Sequence, residues 1–187
     1  MTVLLIIIAI IVLVGLFGVA IYNRLVRLRA LVKEAFSGIT VQLRRRADLI
    51  PNLVETVKGY ASHEKSTFDA ITKARAGMAS GGGVAATAAA DAQMTGLIGR
   101  LFAVAEAYPE LKASENFQQL QSEISGIETE LQSARRYYNA TARDLNTRVQ
   151  SFPDMFFARP MGFAEEEYYQ DEDPAIQAAP KIDFQKA

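Results

Sequence analysis

Val3 to Tyr22 is a run of twenty residues without a charge, nearly all of them apolar. As a helix rising about 1.5 Å per residue it spans roughly 30 Å, the thickness of one hydrocarbon core. Gly15 and Gly18 do not oppose that reading, because glycine is tolerated in membrane helices. A cleaved signal peptide has a basic leading region, a shorter apolar core and a small-residue cleavage site. Here only Met1 and Thr2 precede the run, and Arg24 follows it directly. Residues 1–23 are therefore expected to form an uncleaved transmembrane anchor. Arg24, Arg27, Arg29 and Lys33 flank its C-terminal end, and the positive-inside bias predicts an outer N-terminus with the body in the cytoplasm. These four side chains are also candidate contacts for the membrane surface.

Beyond Tyr22 the apolar period is that of a helix. Leu25, Leu28, Val32, Ala35, Ile39 and Leu43 recur every three or four residues, and no proline occurs before Pro51. The membrane helix is thus expected to continue unbroken to about Ala47. A break is expected between Asp48 and Pro51, since proline lacks an N–H and disfavours α geometry at Ile50. Asp48 and Pro51 suit the start of a second helix. That helix would carry Leu53, Val57, Tyr60, Phe68, Ile71, Ala74 and Met78, interrupted only by Glu64, and would end in the turn Ala79-Ser80-Gly81-Gly82-Gly83. A third would carry Met94, Leu97, Leu101, Val104 and Tyr108 and stop at Pro109.

The fourth helix has the strongest pattern. Ser114 suits an N-cap, with Glu115 in the first turn. Alternating steps of three and four then land on Phe117, Leu120, Ile124, Ile127, Leu131, Ala134, Tyr138, Thr141, Leu145, Arg148 and Phe152. This is a heptad seam of coiled-coil type, ended by Pro153. Four helices joined by short turns predict an all-α fold. It is an antiparallel up-down-up-down bundle over residues 24–153, with the transmembrane helix continuous with the first bundle helix.

Such alternation returns the chain near Phe152 to the bilayer. The following segment, 154–163, is apolar and contains Met155, Phe156, Phe157, Arg159 and Phe163. Two readings stay open for it: it dips into the headgroup region, or it caps the open end of the core. By the same geometry Arg44-Arg45-Arg46 lies about 22 residues past Tyr22, roughly 33 Å from the anchor. Three consecutive arginines cover most of a helix circumference, so one must approach the core or a neighbour. They are either solvated beside local carboxylates such as Asp48, or a contact for an acidic partner or a second copy. Arg44, Arg45, Arg46, Asp48, Pro51 and Asn52 form that candidate contact.

Charge is unevenly placed. Residues 1–160 hold 18 basic and 14 acidic side chains, whereas 161–187 hold 2 and 7. The stretch 164–187 mixes acidic residues with Pro, Ala and Gln and is expected to be a disordered acidic tail. Lys181-Ile182-Asp183-Phe184 has the makings of a docking peptide within it.

No catalytic constellation is present. The chain has no cysteine and a single histidine, His63. His63-Glu64 has no second histidine at zincin spacing, and Gly81-Gly82-Gly83 lacks the rest of a phosphate-binding loop. There is no Gly-x-Ser-x-Gly elbow. Glu123, Glu128 and Glu130 fall off the heptad seam and read as a solvated face. The expectation is a protein without catalytic, cofactor or metal sites, and its formal net charge of −1 argues against nucleic acid as a partner.

Long stretches are similar to the LemA family: Tyr22–Arg29 (YNRLVRLR), Val41–Ala61 (VQLRRRADLIPNLVETVKGYA), Ala105–Phe117 (AEAYPELKASENF), Ala134–Asn139 (ARRYYN), Asn146–Pro153 (NTRVQSFP) and Pro180–Phe184 (PKIDF). The resemblance implies a bacterial protein with an N-terminal anchor and an antiparallel helical bundle, and it implies no known activity or cofactor. The acidic stretch Glu165–Asp173 is heavier than the family pattern. Together the readings point to a single-pass protein of the bacterial inner membrane, whose partners are the lipid bilayer and further copies of itself. It would serve as a self-assembling scaffold that organises or shapes the membrane. The alternative is an adaptor for a membrane protein, such as a protease or an envelope-stress sensor, acting through the arginine-rich tip.

Overall fold

The computed structural model describes residues 1–61, 63–78 and 82–170. Among these the protein is all-α, with six helices in the order α1 (Thr2–Lys58), α2 (Lys65–Met78), α3 (Val84–Glu106), α4 (Pro109–Lys112), α5 (Glu115–Gln150) and α6 (Met155–Ala158). Ala79 to Gly81 of the expected glycine turn, and residues 171–187 with the Lys181–Phe184 stretch, lie outside the described residues.

The chain divides into two compact units. The first takes α1 as far as Ile50 together with Leu120–Tyr169. Here α1 is one unbroken helix from Thr2 through the basic collar. Leu25, Val32, Ala35, Ile39 and Leu43 are buried as their spacing predicts. On α5, Ile124, Ile127, Leu131, Tyr138, Thr141 and Leu145 are buried, so the heptad seam is the packed face. Phe17, Phe36 and Arg46 meet Phe157, Tyr138 and Glu128 respectively. The partners run in reverse order at matched intervals, so the two strands of this unit are antiparallel. Phe152, assigned to the seam by its spacing, is instead 78% exposed, because α5 ends at Gln150 and the chain turns away.

The second unit is built from Pro51–Gln119. It corrects the expected helix boundaries. α1 does not break at Asp48–Pro51; it carries Pro51 inside it and ends at Lys58. A proline inside a helix removes one donor and crowds the preceding turn. The burial of Ile50, Leu53, Val54 and Val57 on the same helix offsets that cost. The break falls instead at Gly59–Glu64, within what the spacing joined as one helix. Gly59 and Tyr60 close α1 through bonds to the carbonyls of Glu55 and Val57. The Glu64 carbonyl then accepts from Thr67 and Phe68 as α2 begins. α2 packs on α3, burying Phe68, Ile71 and Ala74 on one and Met94, Leu97, Ile98 and Leu101 on the other. Phe102 meets Phe117 edge-on at 6.1 Å. Asp91, which blurred the start of α3 in the sequence, lies buried within that helix.

Candidate membrane interface

α1 is long and apolar enough to cross a membrane. From Val3 to Val19 its large apolar side chains stand about half to two-thirds exposed. Water solvates such a surface poorly, and a bilayer solvates it well. Arg24, Arg27, Arg29 and Lys33 are all exposed just beyond it, as a basic collar.

The segment after α5 folds back on that junction. Phe157 lies edge-on against Phe17, with ring centroids 6.1 Å apart. Its Cε1 sits 3.2 Å from where a side chain on Gly18 would begin, so glycine there permits the approach. Phe163 packs against Tyr22 at 5.8 Å and beneath the Arg29 guanidinium at 4.9 Å. Of the two readings of 154–163, capping of the core is met by part of the segment, and the rest stays open to solvent. Ala158 and Phe163 are buried and cap the unit, while Met155, Phe156, Arg159 and Met161 are exposed. Phe163 accordingly leaves the set of membrane-surface residues, because its ring is already covered by α1.

The arginine cluster resolves in the same way. Arg44 and Arg45 are exposed on α1, as are Asp48 and Asn52, and Pro51 is half-buried. Arg46 points inward, 1% exposed, and donates from Nη1 to Glu128 Oε2 at 2.9 Å. Arg135 Nη1 reaches Glu128 Oε1 at 3.4 Å, so one carboxylate serves two guanidinium groups. Arg46 is thus a core residue and no partner contact, and Glu128 is no member of a solvated face. Nor do the arginines end their helix, since α1 runs on to Lys58.

Sequence reasoning missed a clasp on α5. Asn146 donates from Nδ2 to the Glu166 carbonyl at 2.9 Å and accepts the Glu166 amide on Oδ1 at 2.8 Å. Asn139 repeats the pair with Tyr169 at 2.9 and 2.8 Å. Each side chain mimics a strand's edge. Seven residues of helix rise about 10.5 Å, and three of extended chain about 10 Å, so the two asparagines match one extended segment. The Tyr138 hydroxyl donates to the Glu167 carbonyl at 2.7 Å, and Arg135 lies 5.7 Å over the Tyr169 ring. Residues 164–170, expected to be disordered from composition, are therefore held along α5 by backbone contacts to which composition is blind. Burial pushes the Tyr138 phenol up to about 12, helped by the Glu166 and Glu167 carboxylates. Two asparagines seven apart beside a heptad seam are the signal that was available.

Among the described residues no group of His, Asp and Glu could hold a metal ion, and His63 is exposed. What the fold and this face define is an all-α, membrane-associated protein with one candidate span among the described residues.

Residues 35–184 match the model of the LemA family, and the chain belongs to that family. It is 30% identical over 132 residues to a protein LemA of Metamycoplasma hominis, covering 70% of this chain and 60% of that protein. It is 26% identical over 176 residues to magnetosome protein MamQ 2 of Paramagnetospirillum magneticum, covering 80% of this chain and 65% of the relative. With MamQ of Magnetospirillum gryphiswaldense the identity is 24% over 174 residues, 79% and 64% of the two chains. The chain thus spans less than two thirds of the length of these relatives.

Proposed function

We propose that this protein is a non-catalytic, membrane-anchored helical scaffold that self-assembles at the bacterial inner membrane and organises or shapes it. The observation that carries the reading is the continuity of α1: the exposed apolar run and the packed face of the first unit belong to one helix. A rod of this kind holds its packed unit at a set height above the bilayer, and anchored copies align by confinement alone. Relatives named as magnetosome proteins agree with work at a membrane. The body lies on the cytoplasmic side, as the collar of Arg24, Arg27, Arg29 and Lys33 favours. Protease digestion of intact spheroplasts tests that orientation, and cleavage of the body from outside refutes it. Sizing the full chain in mild detergent tests assembly. Oligomers that grow with concentration are expected, and a strict monomer at every concentration refutes the scaffold.

A second reading is an adaptor for a membrane protein such as a protease or an envelope-stress sensor. It rests on Arg44, Arg45 and Asp48, which stay exposed while Arg46 turns inward. Arg44→Ala with Arg45→Ala is expected to abolish cross-linking to such a partner while leaving the helical signal intact. Cross-linking that persists removes this surface from consideration.

A further inference from the structure

The depth of one contact decides where α6 lies. If Val3–Tyr22 crosses the bilayer, Phe17 and Gly18 stand four or five residues inside its end, roughly 6–8 Å below the boundary. Phe157 packs directly on both. α6 cannot keep that contact and remain in bulk water. An interfacial helix buries its apolar face to about 5–10 Å, which is the same depth.

We propose that α6 and its flanking turns, presenting Phe152, Met155, Phe156 and Met161, are a second membrane element embedded in the leaflet beside α1. The claim rests on the reading of α1 as the anchor and adds a lipid-facing site to it. Phe152 is 78% and Phe156 64% exposed, with ring centroids 6.0 Å apart, so they form one outward aromatic wedge. Phenylalanine side chains left open in this way suit the buried face of an interfacial helix at the acyl–headgroup boundary. The backbone suits it too. The amides of Met155, Phe156, Phe157 and Ala158 donate to the carbonyls of Ser151, Pro153 and Asp154, and those of Met161, Gly162 and Phe163 donate to Phe157, Arg159 and Ala158. A turn with most of its donors satisfied internally enters a poorly hydrating layer at reduced cost. Asp154, the acidic residue of this segment, is buried and paired with Arg148 at 3.4 Å, so its charge is not offered to lipid. Arg159 is exposed, and a long cationic side chain at this depth extends to the phosphates.

The wedge has a mechanical consequence. α1 crosses the leaflet fully, whereas α6 occupies only one leaflet, next to it. Each copy thereby adds side-chain volume to the leaflet on the body's side alone, and an assembly of copies repeats that asymmetry.

The chain has no cysteine, so single labels are unambiguous. The full chain carrying Phe156→Cys, Met161→Cys, Leu13→Cys or Gln132→Cys is labelled with an environment-sensitive fluorophore and reconstituted in phosphatidylcholine–phosphatidylglycerol vesicles. Nitroxide-bearing lipids and aqueous iodide serve as opposing quenchers. The labels at positions 156 and 161 are expected to be quenched several-fold more by a shallow nitroxide, and several-fold less by iodide, than the label at the exposed position 132. Iodide access at 156 equal to that at 132, with position 13 protected, overturns the wedge while leaving the anchor standing. Protection of 156 from both quenchers means that protein covers it, which also overturns the proposal. Iodide access at position 13 overturns the anchor and the wedge together.

Discussion

Glu128→Gln is the most informative single change in the first unit. It keeps the side-chain volume and an acceptor oxygen but removes the charge that faces two arginines. Arg46 is 1% exposed and bonded to this carboxylate at 2.9 Å, whereas Glu128 itself is 29% exposed. Removing one partner of a buried pair costs about 3–5 kcal/mol, chiefly because the other charge stays in a poorly solvating site. The partial exposure of Glu128 admits some water, so the lower end, about 3 kcal/mol, is expected. In a chain of this size about 1 kcal/mol moves Tm by roughly 2–4 °C, which gives a fall of about 6–12 °C. The assay is thermal loss of the helical circular dichroism signal for the full chain in mild detergent. Arg46→Met combined with Glu128→Gln is expected to lose less than Glu128→Gln alone, since it removes the buried guanidinium with the charge that faces it and leaves Arg135 an acceptor oxygen. A single variant within about 2 °C of the parent would show that Arg46 is not dependent on this carboxylate. A double variant no better than the single would show that the loss does not come from the Arg46 charge.

Asn139→Ala and Asn146→Ala each delete two hydrogen bonds to the chain at 166–169, at about 1–3 kcal/mol apiece. Hydrogen exchange at the Tyr169 and Glu166 amides is expected to rise in the respective variants, and unchanged protection would count against the clasp. Tyr138 is neutral when protonated, and its folded value lies above its unfolded value of 10.0, at about 12. The stability it contributes is therefore complete below pH 10 and is lost as pH rises toward 12. Thermal melts should show the gap between parent and Tyr138→Phe narrowing from pH 9 to pH 11, and a constant gap refutes the assignment. Gly18→Ile places atoms where the Phe157 ring lies. It is expected to destabilise the α1–α6 contact by about 1–3 kcal/mol and to shift the position-156 fluorophore toward water. Emission at that site unchanged by the substitution refutes the close approach.

Local pattern carried most of the fold. The apolar run Val3–Tyr22, the three-and-four spacing of Leu25 to Leu43 and the seam from Phe117 to Leu145 are properties of neighbouring residues. A helix therefore follows from them whatever it later packs against. The same holds for the turn into α5 after Ser114. Local pattern failed where two segments compete or meet. Pro51 reads as a break to its neighbours, yet the buried stripe on either side of it carries the helix through to Lys58. The real break at Gly59–Glu64 was hidden inside an apolar spacing that continued across it.

The sequence by itself determined that the chain is helical, that one end is long and apolar enough to cross a bilayer, and that one of three arginines had to turn inward. Only the tertiary structure decided that the one is Arg46, because the choice depends on a carboxylate 82 positions away along the chain. Only it decided that Asn139 and Asn146 hold residues 166 and 169, and that Phe157 meets Gly18. These contacts join residues far apart in the chain through backbone groups, a single ion pair and a missing side chain. Apart from the seven-residue spacing of the two asparagines, none of the three leaves a periodic trace in composition or spacing.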